Sequence, residues 1–435
     1  MIRRTVASVA FLALAAVAPA AAQLAPPLQV EAPEWAERVH VETRPAAPVV
    51  GVSVAWPVGS GADAEGRTGV GQAAADAVVA SVEASLGAGQ AEGRARVEPD
   101  RTLLTFLVRP ERVEALLDAL ERATRSPLDG APIDDALRRR TEVLRFEFES
   151  PVNEVDAQRR AMLYGDDDPR VRAPGGTLED FESRITRADV ESAHRAIFTG
   201  GAHLVLVGAV AFEGASPRVE STAVPAAPDS LATDAPGGAA PAAPVVPERP
   251  VAGTTSAGPA WTTGDRRVVH RPVTNSWIAV AWPVPADLSR VAVLYLADRM
   301  HRELNAVPPD PGIFNATAEV AELPDGEIIL VRAAVLPEAT DRFEARILGL
   351  PAELARERDA AFFRFHRGRF RASRLIDEAA PEAAADRMAL ELLTRGAVLD
   401  FDEAVWELDV DEAADAATSL GEPRVLVFGP DLGGG

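Results

Sequence analysis

The sequence contains the five-residue segment VAWPV twice, at residues 54–58 and 280–284, and this repeat indicates how the chain is organised. Each copy ends a stretch of alternating apolar residues, a pattern typical of a β-strand. A second apolar segment ending in Gly occurs at residues 204–208 and again at 425–429, at nearly the same spacing. The two copies of each segment are separated by nearly the same number of residues, which predicts that the chain contains a duplicated domain.

The two copies are separated by a segment of different composition. Residues 223–259 are mostly Ala, Pro, Gly, Ser and Thr, with few large apolar side chains that a core could bury. Burial in such a segment does not offset the entropy of ordering it, so the composition predicts an extended linker. We therefore expect one domain over residues 23–212, a linker over 213–264 and a second domain over 265–435.

Residues 1–22 have the pattern of an export signal. Arg3 and Arg4 precede an apolar run at residues 6–17, and three Ala residues follow at the expected cleavage position. A membrane anchor is the alternative, but this run is shorter than the roughly 20 residues of a spanning helix. The sequence therefore predicts a cleaved signal peptide, a mature start at Gln23, a periplasmic or secreted location and no stable membrane insertion.

Composition excludes several classes of function. The chain has 44 basic residues, all of them Arg, against 66 acidic residues, which gives a net charge of −22. This charge repels phosphate backbones, so nucleic acid is not an expected partner. The sequence has no Cys, which excludes disulfides, thiolate zinc sites and cysteine nucleophiles.

Strand patterns and long helical patterns within each half predict the α+β class, with a mostly antiparallel sheet covered by helices. The helical patterns of the first half cover residues 68–86, 111–124, 133–148, 154–163 and 187–198. In the second half, Pro324, Asp325 and Gly326 predict a hairpin turn that pairs the strands near Phe314 and Ile328 antiparallel.

Several motifs, in order, resemble those of the pitrilysin/insulinase zinc peptidases, also called inverzincins. They are GSG at 59–61, TGVG at 68–71, LYG at 163–165, DP at 168–169, GGT at 175–177 and RITRADV at 184–190. The resemblance covers almost the whole mature chain outside the linker. It implies two insulinase-like domains that face each other and enclose a chamber.

The catalytic motif of that family, H-x-x-E-H, is degenerate in this chain. In the family motif, two His at i and i+4 bind zinc while the Glu acts as general base. Gln72 and Asp76 stand at the two His positions, and Ala75 stands at the position of the base. The resemblance places the third zinc ligand at Glu147. Because a Gln amide is a poor zinc ligand and Ala cannot accept a proton, we expect neither a zinc cofactor nor peptide hydrolysis by the family mechanism.

Other polar residues leave alternatives open. The six His residues are too far apart in sequence to form a local metal-binding pair. Asp76 and Glu147 bind a hard cation weakly in one interpretation, and in another Asp76 is a solvated or Arg-paired carboxylate. Gln72 and Asp76 are also candidate polar contacts in a peptide cleft. The basic, aromatic stretch at residues 364–371 is either a surface for an acidic partner or an amphipathic helix with buried Phe and locally paired Arg residues.

The resemblance also implies partners. Active relatives bind peptides as an added β-strand, with an Arg and a Tyr of the second half in contact with substrate; Arg302 and Phe314 match these positions. Bacterial relatives often pair an intact subunit with a degenerate one. We therefore expect an exported, non-catalytic subunit that binds peptides or unfolded polypeptide beside an H-x-x-E-H partner. The alternatives are a structural or assembly scaffold without a proteolytic role and, less favoured, a zinc endopeptidase with an atypical site.

Overall fold

A computed structural model describes residues 26–147, 151–212, 264–306, 311–323 and 326–431 of this chain. The strands of the first half are β1 Leu28–Val30, β2 Ala36–Thr43, β3 Val50–Trp56, β4 Ala91–Val97, β5 Thr102–Val108, β6 Ala202–Gly208 and β7 Val210–Phe212. Its helices are α1 Val70–Leu86, α2 Val113–Arg125, α3 Gly130–Glu147, α4 Pro151–Tyr164, α5 Leu178–Ser183 and α6 Arg187–Phe198.

The second half repeats this succession. Its strands are β8 Arg266–His270, β9 Ser276–Val284, β10 Ile313–Leu323, β11 Gly326–Val335 and β12 Arg424–Gly429. Its helices are α7 Arg290–Leu304, α8 Thr340–Leu354, α9 Ala360–Asp377, α10 Pro381–Arg395, α11 Phe401–Glu407 and α12 Val410–Ser419. The predicted α+β class is confirmed, whereas the predicted signal peptide and most of the predicted linker lie outside the described residues.

The two five-stranded sheets have the same strand order. The first is β2-β6-β3-β5-β4, and the second is β8-β12-β9-β11-β10. Only the pairs β2/β6 and β8/β12 within these sheets are parallel. The repeated VAWPV segments lie in or directly after the central strands β3 and β9, and β3 is buried along its whole length. The predicted antiparallel pairing of β10 with β11 is confirmed, although Pro324 and Asp325 of the turn lie outside the described residues.

Each half supplies one helix to the sheet of the other half. Helix α10 packs Ala385, Met388 and Leu392 against the first sheet, where Leu103 and Val205 are among its partners. Helix α4 lies in the equivalent position and packs against the second sheet, which it contacts through Met162 and residues of β9, β11 and β12. The halves therefore share two apolar interfaces related by this reciprocal exchange.

Candidate functional site

The helix that carries the degenerate motif, α1, begins at a tightly built corner. Gly69 and Gly176 both have positive φ, 89° and 84°, and a Cβ on Gly69 would lie 2.5 Å from the Cα of Gly176. The motifs TGVG and GGT are therefore in direct contact, and this approach requires glycine on both sides.

A buried carboxylate caps this corner. Asp63 accepts hydrogen bonds from the backbone N–H groups of Gly69 at 2.7 Å and Gly71 at 3.1 Å. Burial raises the pKa of Asp63 to about 6, and the two backbone hydrogen bonds oppose this shift. Asp63 thus positions the first turn of α1.

The side chain of Gln72 is bound to the neighbouring edge strand. Its Nε2 donates to the carboxylate of Asp76 at 2.9 Å and to the carbonyl of Ala95 at 3.3 Å. Its Oε1 accepts the backbone N–H of Val97 at 3.1 Å. Both polar atoms of the carboxamide are therefore used in holding α1 against β4.

These contacts close part of the free edge of the first sheet. Glu98 donates its N–H to the carbonyl of Arg101 on the β5 side. Residues of an antiparallel strand direct their backbone groups alternately toward and away from the neighbouring strand. Val97, Ala95 and Gly93 therefore direct their backbone N–H and C=O groups away from β5, toward the free edge. Gln72 binds two of these groups, and Glu83 accepts the N–H of Gly93 at 2.8 Å. Side chains of α1 thus occupy positions at which an added strand would pair.

The position of the family base lies in the core. Ala75 is fully buried within the apolar cluster that α1 forms with the first sheet and the helices around it. Asp76 is half-buried; burial raises its pKa, and the hydrogen bond from Gln72 opposes the shift. Glu147 is the last residue of α3, and its side chain lies outside what the structure describes.

These residues do not fit a zinc ion. The carboxamide of Gln72 already binds the backbone of β4 and Asp76, and Ala75 has no group that could bind metal or accept a proton. Among the described residues, no group of three or more His, Asp or Glu side chains could hold a metal ion.

The two residues predicted to contact substrate in the second half have different environments. Arg302 donates from Nε to Asp298 on the preceding turn of α7 at 2.7 Å, and its side chain is 21% exposed. Phe314, near the start of β10, is 59% exposed. Their proposed contacts with a peptide stay a prediction.

A large cavity between the halves was not predicted from the sequence. Its volume is about 1090 Å³, and it is lined by residues of β2, α7, α9, α10 and α11 and of the loops beside them. Its wall carries paired charges: Arg387 bonds Glu391 at 2.8 Å and Glu378 at 3.1 Å. Its residues come from both halves, and no local motif indicates which of them converge.

A second unpredicted polar cluster lies at the interface between the halves. Asp386 of α10 accepts from Ser53 at 2.9 Å, from Thr105, and from Arg94 at 2.7 Å. Ser53 and Thr105 are buried polar residues on central strands, which is the signal that could have indicated a buried partner. This carboxylate fixes the position of α10 on the first sheet.

Structure comparison finds proteins of the same architecture. A protease from Helicobacter pylori is 17% identical, with a TM-score of 0.64, over 90% of this chain and 96% of that chain. A peptidase M16 inactive domain from Pseudomonas fluorescens is 12% identical, with a TM-score of 0.63, over 94% and 99%. A chain of complex III2 from Candida albicans is 12% identical, with a TM-score of 0.63, over 90% and 93%.

The sequence itself gives no such match. No family model matches it, and a search of curated proteins finds no relative. The likenesses are thus carried by the fold.

Proposed function

The chain has the two-domain α+β fold of the M16, insulinase-like peptidases, and we propose that it is a non-catalytic, peptide-binding subunit of a peptidase assembly. The catalytic chemistry belongs in this proposal to a partner that carries an intact H-x-x-E-H motif. No zinc is required by this chain.

One observation carries the non-catalytic assignment. The base position is a fully buried Ala75, and Gln72, at the first ligand position, is bound to strand β4. General acid–base catalysis needs a titratable group within hydrogen-bond reach of the substrate. A buried methyl group supplies neither the proton acceptor nor access to a peptide bond.

The cavity between the halves supports a role in peptide binding. Its volume of about 1090 Å³ exceeds the range of roughly 300–1,000 Å³ for small-molecule pockets, which favours a larger ligand such as a peptide segment. Arg44, Arg290 and Arg395 in its wall already pair with glutamates of this chain, so a bound peptide would share these ion pairs through its carbonyl and carboxylate groups. Its acidic residues, among them Asp400 and Glu403, are suited to binding basic side chains.

A mixed-subunit cleavage assay tests the proposal. The mature chain is used to isolate a stoichiometric partner, and cleavage of an unfolded polypeptide is measured with the partner alone, with this chain alone and with both. We expect activity only in the presence of the partner, with an increase of about tenfold or more when both are present. Zinc-dependent cleavage by this chain alone would overturn the proposal and favour an atypical zinc peptidase.

A scaffold without a proteolytic role is the second candidate, and the β4 edge favours it. Gln72 and Glu83 occupy positions at which a peptide would pair as an added strand, so that edge is not open for its full length. Isolation of only non-peptidase proteins, with no effect on cleavage, would support the scaffold.

Export is part of the proposal. A cleaved signal over residues 1–22 would deliver a chain starting at Gln23 to the periplasm or medium. Within the described residues, none of the helices has the length and apolar character needed to span a bilayer. Sequencing the amino terminus of the protein from native fractions tests this location directly.

A further inference from the structure

The basic, aromatic helix α9 has two faces of different character. Its inner face is core: Phe363, His366 and Phe370 are buried. The rings of Phe363 and Phe370 make edge contacts with Tyr295 of α7, at 5.5 and 5.7 Å between centroids. These contacts fix which residues of α9 point outward.

The outward residues form an apolar and basic stripe. Phe362, Phe365, Arg369, Ala372 and Ile376 follow one another at spacings of three and four residues, and all are exposed. The exposed fractions are 43% for Phe362, 60% for Phe365 and 73% for Ile376. We call these five residues, with the adjacent exposed Arg364, the outer stripe. The stripe extends over four turns, or about 20 Å.

The charges of the outer stripe have one sign. Residues 360–376 contain no Asp or Glu. Among the residues that the structure describes, neither Arg364 nor Arg369 forms an ion pair, and Arg369 lies over the ring of Phe365 at 5.7 Å. On the neighbouring face, in contrast, Arg371 forms a two-point ion pair with Asp402 at 3.0 Å.

The duplication supplies an internal comparison. Helix α3 occupies the same place in the first half, and it too exposes apolar side chains, Val143 and Phe146. Its exposed charges, however, are of both signs and pair within the chain. These pairs are Arg138–Glu142, Arg139–Asp135, Arg145–Glu182 and Arg187–Asp134. The corresponding helix of the first half therefore carries charges that are paired within the chain, in contrast to Arg364 and Arg369 of the outer stripe.

We propose that the outer stripe binds an amphipathic helix of a partner protein whose apolar face is flanked by carboxylates. Phe362, Phe365 and Ile376 supply anchors at helical spacing, and Arg364 and Arg369 supply the complementary charge. This inference goes beyond the proposed function and does not depend on it, because it concerns the outer helix layer of the second half.

Two other occupants fit the charges less well. An isologous contact between two copies would bring Arg364 and Arg369 of one chain against the same residues of the other, which like-charge repulsion opposes. An anionic membrane would attract only these two cations while repelling a chain with a net charge of −22. A single acidic helix avoids the like-charge contact, and because it covers an area no larger than the stripe it meets mainly the local positive charge, the rest of the chain being screened beyond about 10 Å.

Fluorescence anisotropy with two synthetic helices tests the inference. Both peptides have 18 residues and the same Leu stripe, flanked by Glu in one and by Lys in the other. We expect the Glu peptide to bind the mature chain about tenfold more tightly than the Lys peptide, an advantage that falls as salt is raised. The double variant R364E/R369E should reverse the preference, and F365A/I376A should weaken both peptides about tenfold.

The matched control is R122E/R125E, which reverses two exposed Arg residues on α2 that form no ion pair in the described part of the chain. It should leave the affinities unchanged. The inference is overturned if neither peptide binds, if the two bind equally, or if R364E/R369E acts no differently from the control. Self-association that F365A/I376A abolishes would assign the outer stripe to a second copy, and sedimentation with phosphatidylglycerol vesicles would assign it to a membrane; either result overturns it as well.

Discussion

Replacing Ala75 by Glu, the residue of the family base, is expected to destabilise this chain strongly. Ala75 is fully buried, so the added side chain must displace core atoms, which costs about 1–3 kcal/mol. The carboxyl group would enter the core uncharged and without a hydrogen-bond partner, which costs about 1–3 kcal/mol more. We expect a loss of about 2–6 kcal/mol in the free energy of unfolding, a large part of the total stability of most proteins.

The matched control is Ala84→Glu, on an exposed position of the same helix. It introduces the same side chain without burial, so we expect a change within about 0.5 kcal/mol. Urea unfolding of both variants, followed by tryptophan fluorescence, measures the difference. If Ala75→Glu unfolds at the same urea concentration as Ala84→Glu, the site is open and the argument from burial is wrong.

Restoring the complete H-x-x-E-H motif should destabilise the chain further and should not restore zinc binding or cleavage. The triple variant Q72H/A75E/D76H removes the carboxamide that binds Ala95 and Val97, which adds about 1–3 kcal/mol of destabilisation. We expect calorimetry to detect no stoichiometric zinc and a peptide assay to detect no cleavage. A folded triple variant that binds one zinc per chain would refute the conclusion that this site no longer fits the metal.

Three further predictions concern the corner and the interface between the halves. Because burial raises the pKa of Asp63 to about 6, its protonated form stabilises the fold below pH 4, and this contribution is lost as pH rises to 6. Asp63→Asn should therefore lack a decline of about 1–3 kcal/mol over that range; an unchanged pH profile would contradict this. Asp386→Ala leaves Ser53 and Thr105 without their acceptor and should cost about 1–3 kcal/mol in urea unfolding; no change would show that water replaces the carboxylate. Met388→Ala and Met162→Ala, on the two exchanged helices, should each cost about 2–5 kcal/mol, and a loss for only one would show that the exchange is not energetically reciprocal.

The central strands could be predicted from the sequence because they are buried on both faces. Strand β3 has apolar or small residues at every position, and β5 reads as an almost continuous apolar run. Edge strands have no such signal: β4 has the sequence AEGRARV, of which only Val97 is buried. Strand β8, RRVVH, also lacks a run of buried apolar residues. Neither edge strand could therefore be recognised from the sequence.

The predicted site residues could be named from the resemblance, but their surroundings could not. The pattern QAAAD shows which groups are lost, whereas nothing in it indicates that Gln72 would bind an edge strand. The apolar face of a helix also does not indicate which sheet the helix covers. The packing of α4 and α10 on the sheet of the opposite half could therefore not be predicted. Each interpretation of the stretch at 364–371 describes part of it, because Phe370 is buried while Phe365 and Arg369 are exposed.

The exchange of α4 and α10 also bears on how such a chain arises. If the two halves were separate identical polypeptides, the same contacts would make a two-fold symmetric, helix-swapped dimer. Duplication and fusion of a gene for such a protomer would yield this arrangement, and no new interface would have to evolve. Once fused, the copies are free to diverge, and a mixed-charge helix in one half can become a basic, aromatic helix in the other. Co-expressing the halves as two polypeptides should therefore reconstitute the molecule, whereas neither should be soluble without the other.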